Sequence, residues 1–177
     1  MPRIAHQSRT LLIALATVIG ALLPAAAASA PPTWLTPKAV SADSTLSAGQ
    51  QDVVVTPGGT VVAAFIRYEN NNCSPSCLPH VEVATREPGG NFGTPQMLSA
   101  PANPASQIKL AVDTDGTIYA VWTETTGANT LARFASRPAS GGAFGAAQDI
   151  SGGGANASSP DIAAGGGTAI AVWVRNS

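Results

Sequence analysis

Apolar positions in this chain fall into short runs separated by clusters of Gly, Pro, Asn and Asp, the pattern of strands and turns. One phrase is spoken three times: Gly59-Thr60-Val61-Val62-Ala63-Ala64-Phe65, then Gly116-Thr117-Ile118-Tyr119-Ala120-Val121-Trp122, then Gly167-Thr168-Ala169-Ile170-Ala171-Val172-Trp173. Each copy follows a turn and a shorter apolar run, so each reads as the second strand of a β-hairpin. The predicted hairpins are Asp52–Val55 with Thr60–Ile66, Ile108–Val112 with Thr117–Thr123, and Asp161–Ala163 with Thr168–Val174. Their turns are Thr56–Gly59, Asp113–Gly116 and Ala164–Gly167. By the period-two rule Ile118, Ala120 and Trp122 share one face of the strand and Tyr119 and Val121 the other. Both faces are apolar, which predicts a sheet covered on both sides.

A third strand follows at Val81–Arg86 and again at Leu131–Arg137, each ending in a Gly-rich turn. A second phrase then recurs: an aromatic residue leads to an aliphatic-Ser ending in Trp34 to Ser41, Phe92 to Ser99 and Phe144 to Ser151. Its frequent Pro suits a short edge strand, where no neighbour needs the missing N–H. The unit is therefore four antiparallel strands joined in order, repeating at about fifty residues. No segment beyond the N-terminal stretch shows helical periodicity. All-β repeats of this kind are expected to be blades of a β-propeller, with units 34–91, 92–143 and 144–177. About two and a half to three blades are present, whereas a ring needs about four to eight. The chain then reads as a fragment of a longer product, as a homo-oligomer whose copies complete a ring, or as an open three-sheet stack with exposed apolar faces.

Composition changes the picture in two respects. Charged residues make up 11% of the 177 residues, against about 25% in ordinary globular chains. The net charge of −1 leaves no basic footprint for nucleic acid. At the N-terminus Arg3 and Arg9 precede an apolar stretch from Leu11 to Leu23, and Ala26 to Ala30 supply small residues for cleavage. Residues 1–28 are read as a secretory signal peptide and 29–33 as a linker. The apolar stretch falls short of the roughly twenty residues of a membrane span, although an uncleaved anchor is the competing reading. The protein is expected to be secreted, with no membrane association after signal cleavage.

The phrases Ala84-Thr85-Arg86-Glu87-Pro88-Gly89-Gly90-Asn91-Phe92 and Ala111-Val112-Asp113-Thr114-Asp115-Gly116-Thr117-Ile118-Tyr119-Ala120-Val121-Trp122 resemble the sialidase-like (BNR-type) β-propeller repeats of secreted bacterial proteins. The resemblance covers nearly all of residues 34–177 and its motifs are structural. The chain carries neither a Ser-x-Asp-x-Gly-x-Thr-Trp box nor the Arg-Ile-Pro motif of true sialidases.

Candidate chemistry is sparse. Cys73 and Cys77 are the only cysteines, and in an exported protein they are expected to form a disulfide closing a small loop. Metal binding there would need more ligands than His80 can add. Asp113 and Asp115 beside Gly116 suggest a calcium loop. The aligned turns lack carboxylates, however, and retain only the final Gly, so turn formation is the shared role. Phe65, Trp122 and Trp173 are read as packing between sheets rather than as sugar platforms. Two residues beyond each aromatic stand Arg67, Glu124 and Arg175. They differ between copies, and with His80 they are candidate ligand-binding residues at the blade ends, the simpler reading being a solvated strand end. Catalysis has little material, with one histidine after the signal region and no paired carboxylates evident. No cofactor is expected. The reading is a secreted, non-catalytic binding protein for a glycan or another extracellular protein. The rivals are a glycoside hydrolase fragment with its active site in further blades and a structural or surface-display module.

Overall fold

The computed structural model describes residues 36–41, 47–68 and 78–176. The predicted signal peptide, linker and disulfide (Cys73, Cys77), with Trp34, lie outside the described residues. All the strands belong to the compact unit Pro37–Ser177.

The first sheet is β1 (Ala48–Val55), β2 (Val61–Tyr68), β3 (Pro79–Arg86) and β4 (Gln96–Met97), hydrogen-bonded in that order. The second repeats it with β5 (Ala105–Val112), β6 (Ile118–Thr126), β7 (Asn129–Arg137) and β8 (Gln148–Asp149). The third pairs β9 (Asn156–Gly165) with β10 (Thr168–Asn176). Every pairing is antiparallel. The all-β expectation and the in-order, four-stranded unit are both observed. Each edge strand that opens a sequence unit pairs with the third strand of the sheet before it.

Those edge strands are only two residues long, and the aliphatic-Ser ending explains how they hold. Leu98 N–H donates to Val81 O at 2.9 Å, and Ser99 Oγ accepts from Val81 N–H at 2.9 Å. Ile150 and Ser151 repeat both bonds to Ala132 at 3.0 Å. A hydroxyl thus replaces the main-chain acceptor that a longer strand would offer to a buried amide.

The first strands begin earlier than the pattern predicts, at Ala48, Ala105 and Asn156. The cause is a β-bulge in each, at Gly49/Asp52, at Ser106/Lys109 and opposite Val172/Val174. An extra residue shifts the alternation by one, so residues on its two sides no longer read as a single strand. The bulged residues Gln50, Gln107 and Ser159 all take left-handed backbone, with φ of 50°, 61° and 51°. The conformation costs a non-glycine residue about 1–2 kcal/mol.

The hairpin turns confirm the role of the final Gly: Gly59, Gly116 and Gly167 have φ of 85°, 96° and 80°. The third turn differs from the predicted four-residue Ala164–Gly167. Thr168 pairs with Gly165, leaving a two-residue turn of Gly166 and Gly167, both left-handed. Such a turn matches the twist of the flanking strands and depends on Gly at both positions.

Between the first two sheets lies one apolar cluster. Val62, Ala64, Ile66, Val81 and Val83 meet Ile118, Ala120, Trp122 and Ala135, with Leu98 and Phe144 closing its sides. Trp122, Ile66 and Ile118 are each 0% exposed, and burying a large apolar side chain contributes about 1.5–3 kcal/mol. Trp122 is core, as its repetition predicts. The other face of the second sheet holds Val121 and Ala132, also buried, and Tyr119 stacked on Phe134 with ring centroids 6.0 Å apart. There β9 lies against β5, β6 and β7. The middle sheet is therefore covered on both faces. The flanking sheets are not: Val53 and Val55 of β1 and Ile170, Val172 and Val174 of β10 are all more than half exposed.

Candidate functional site

The antiparallel strands carry the predicted site residues to two opposite ends of the sheets. At the end reached by the last residues of β2 and β6, Arg67 and Glu124 stand two residues beyond Phe65 and Trp122. Neither is solvated: Arg67 is 7% exposed and Glu124 0%. The reading of a solvated strand end fails for both: Arg67 lies against Glu82 of β3, and Glu124 against Arg133 of β7 and residues 100–103, which enter its own sheet.

Each is neutralised by the residue that β3 or β7 places opposite the aromatic. Phe65 pairs with Glu82 and Trp122 with Arg133. Arg67 Nη1 lies 3.4 Å from Glu82 Oε2, and Arg133 Nε lies 3.9 Å from Glu124 Oε2. The two sheets thus hold the same ion pair with its signs exchanged. A buried charge is tolerated only when paired and hydrogen-bonded, so a change of sign at one position demands a change at the other. Glu124 also accepts from Trp122 Nε1 at 3.2 Å, Ala100 N–H at 3.3 Å and Asn103 Nδ2 at 3.0 Å. Arg133 pairs in addition with Asp149. His80, 3% exposed, places Nε2 3.6 Å from Glu82 Oε1 and Nδ1 3.3 Å from Leu78 O. Arg67, Glu82 and His80 therefore form one cluster, where β2 ends and β3 begins. Arg175 lies apart from it, exposed near the end of β10.

At the hairpin-turn end, Asp113 and Asp115 are occupied by the chain itself. Asp113 Oδ1 accepts from Thr114 N–H at 2.6 Å and from Thr114 Oγ1 at 3.0 Å, and Oδ2 accepts from Gly167 N–H at 2.7 Å. Asp115 accepts from Thr117 N–H at 2.7 Å and Thr117 Oγ1 at 3.0 Å. Burial works against ionisation of Asp113, yet the hydrogen bonds from Thr114, Gly167 and Gly166 outweigh it and hold the carboxyl below its ordinary value. Donors that favour the charged form have this effect. The two carboxylates serve as turn and junction acceptors. Among the described residues no three His, Cys, Asp or Glu side chains gather as a metal site would require.

Beside Asp115 the first two sheets enclose a cleft of about 420 Å³ whose lining is mostly polar. Its wall carries Thr56, Thr60, Glu87, Arg137 and Ser140. Arg137 and Glu87 bridge the two sheets at 3.1 Å, with Arg137 Nε also donating to Gly142 O at 2.8 Å. Thr60 Oγ1 donates to Glu87 Oε2 at 2.6 Å. The guanidinium is pinned and nearly buried, while the Glu87 side chain is 62% exposed. A fixed cation, an open carboxylate and several hydroxyls suit recognition of a small, polar, many-hydroxyl ligand; a volume of this size is ordinary for such pockets. Glu87 and Arg137 are not among the candidates that the sequence suggests. The available signal was Arg at the same third-strand position in two units, Arg86 and Arg137, each followed by a Gly-rich turn.

No family model, no curated protein and no solved structure matches the chain.

Proposed function

We propose that the chain is an exported, non-catalytic binding module whose sheets are blades of a β-propeller, and that it holds a glycan in the cleft between the first two sheets. The cleft carries the reading: a pinned Arg137, an open Glu87 and the hydroxyls of Thr56 and Ser140 converge on one polar cavity. Glycan recognition by paired charged and hydroxyl groups needs no nucleophile and no metal. Support for the propeller arrangement comes from the four-stranded, in-order sheets and from the first strands, which lie next to one another as β1 against β5 and β5 against β9. Support for export comes from Arg3, Arg9 and the apolar stretch Leu11 to Leu23.

A glycan array followed by calorimetry on the retained sugars tests the proposal. The variant Ser140→Trp fills the cleft from an exposed rim position and leaves the core untouched. The expected result is a retained sugar whose binding Ser140→Trp abolishes without lowering the melting temperature. An array without signal, or binding that survives the filled cleft, would reject the reading.

A further inference from the structure

The charges along the wall of the cleft between the first two sheets do not balance. Three ionic side chains line it, Glu87, Arg137 and Asp115. The single cation is already engaged. Arg137 Nη2 donates to Glu87 Oε1 at 3.1 Å and Nε to Gly142 O at 2.8 Å, with the side chain only 5% exposed. Asp115 is exposed and has no Lys, Arg or His nitrogen within 4 Å among the described residues. The cleft therefore carries one negative charge in excess.

Its hydrogen-bonding groups are equally one-sided. Thr60 Oγ1 gives its hydrogen to Glu87 Oε2 at 2.6 Å, and Thr117 Oγ1 gives its own to Asp115 Oδ2 at 3.0 Å. Neither hydrogen is left for a ligand. An ionised carboxylate offers about four acceptor sites. Glu87 uses two of them, for Arg137 and Thr60, and Asp115 two, for the amide and hydroxyl of Thr117. The remaining acceptors are held in a rigid frame. Thr56 N–H donates to Thr60 O at 2.9 Å and Asp113 N–H to Thr117 O at 2.8 Å, closing the two hairpin turns that flank the cleft. A ligand entering it meets surplus acceptors and surplus negative charge already in place, which lowers the ordering cost of binding.

We infer that the cleft selects an amino sugar, a glycan with a free, protonated amine, over its N-acetylated, neutral and acidic counterparts. The inference rests on the cleft being the glycan site. An ammonium group brings three donors and a positive charge, the complement of the open acceptor sites on Asp115 and Glu87. Acetylation removes that charge and two of the donors. A sugar acid would face two carboxylates with Arg137 already paired, a juxtaposition of like charges. Ring hydroxyls are left to Thr56 and Ser140 on the same wall.

The test titrates the full chain by calorimetry at pH 6 with oligosaccharides of glucosamine and of N-acetylglucosamine, identical but for the acetyl group. The amine form should bind about tenfold tighter, as a hydrogen-bonded charge allows, and its advantage should shrink as salt screens the attraction. Asp115→Asn keeps an acceptor for Thr117 and should bring the two affinities together. Asp115→Lys should turn the preference to the acetylated form, and Ser140→Trp should abolish binding of both. Melting temperatures confirm that each variant is folded. Equal affinities in the parent, both lost in Ser140→Trp, overturn the amine preference and leave the glycan site standing. Binding of neither oligosaccharide while the array retains another sugar has the same meaning, whereas an array that retains none rejects site and preference together. Amine binding that survives Ser140→Trp, or that an oligolysine of equal charge matches, also overturns the inference.

Discussion

Gln50 Oε1 accepts a hydrogen bond from the main-chain N–H of Gln107 at 2.6 Å, although the two residues lie in different sheets. Both are the bulged, left-handed residue of their strand. Gln107 Oε1 in turn accepts from Ser159 N–H at 2.9 Å. A bulge leaves its extra amide without a partner in its own ladder, and here the neighbouring sheet provides one. What looks like a local defect is the join between sheets.

Replacing Gln107 separates the two energies in that join. Gln107→Ala removes the acceptor of Ser159 N–H and should cost about 1 kcal/mol, the usual net worth of one such bond. Gln107→Gly loses the same acceptor but relieves the left-handed strain of about 1–2 kcal/mol. The Gly variant should therefore unfold at higher urea than the Ala variant, the reverse of the order expected in an ordinary strand.

Trp122 and Trp173 occupy the same repeat position with different surroundings. Trp122→Ala should cost about 3–5 kcal/mol, as for a fully buried aromatic, and Trp173→Ala no more than half of that. Paired urea denaturation curves check this. Equal losses would mean that the third sheet is buried as deeply as the second.

Ser99→Ala should cost about 1–3 kcal/mol, because it leaves the buried Val81 N–H without an acceptor while removing a single atom from the core. Thermal melts of Ser99→Ala against Ser99→Thr distinguish the hydroxyl from its packing. Threonine retains the acceptor and should recover most of the loss.

Glu124→Ala strands the indole of Trp122 and the Ala100 amide, leaves Asn103 to Thr126, and leaves Arg133 to Asp149 alone. The expected loss is about 3–5 kcal/mol, the range for breaking a buried charged pair. Glu124→Gln retains an acceptor oxygen and should lose less. Chemical denaturation of the two variants decides the order.

Asp113 gives stability a pH dependence of defined sign. Its carboxyl titrates below its ordinary value in the folded chain, so the folded state favours the ionised form. Its contribution is fully present above the unfolded carboxyl value of about 4 and is lost as pH falls through the lower, folded value. Urea midpoints measured from pH 6 to pH 2 should fall more steeply for the parent than for Asp113→Asn. Parallel curves would deny Asp113 this role.

The hairpins were legible because Gly at the end of each turn and a short apolar run such as Ile118 to Trp122, recurring three times, leave little choice of structure. The bulges were not, since Gln50, Gln107 and Ser159 share no side-chain chemistry that signals left-handed backbone. Gly would have announced the conformation; Gln conceals it and supplies an acceptor instead. Arg67 and Glu124 stood out as differing between copies. Their burial was hidden because the compensating exchange, Glu82 for Arg133, sits on another strand across a loop of different length. The cleft was hidden for a related reason: Glu87 and Arg137 belong to successive units and meet only when the sheets stack.

Four of the joins between sheets are made in one way. Gln50 takes the amide of Gln107, Asp52 that of Leu110 at 2.9 Å, Gln107 that of Ser159 and Asp113 that of Gly167. In each case the donor is main chain, which every sheet of this shape presents whatever its side chains. A duplicated copy inherits these donors at once and needs no matched substitution to be accepted by its neighbour. Its other positions can then diverge, in matched pairs where they are buried, as the exchanged charges of the first two sheets do.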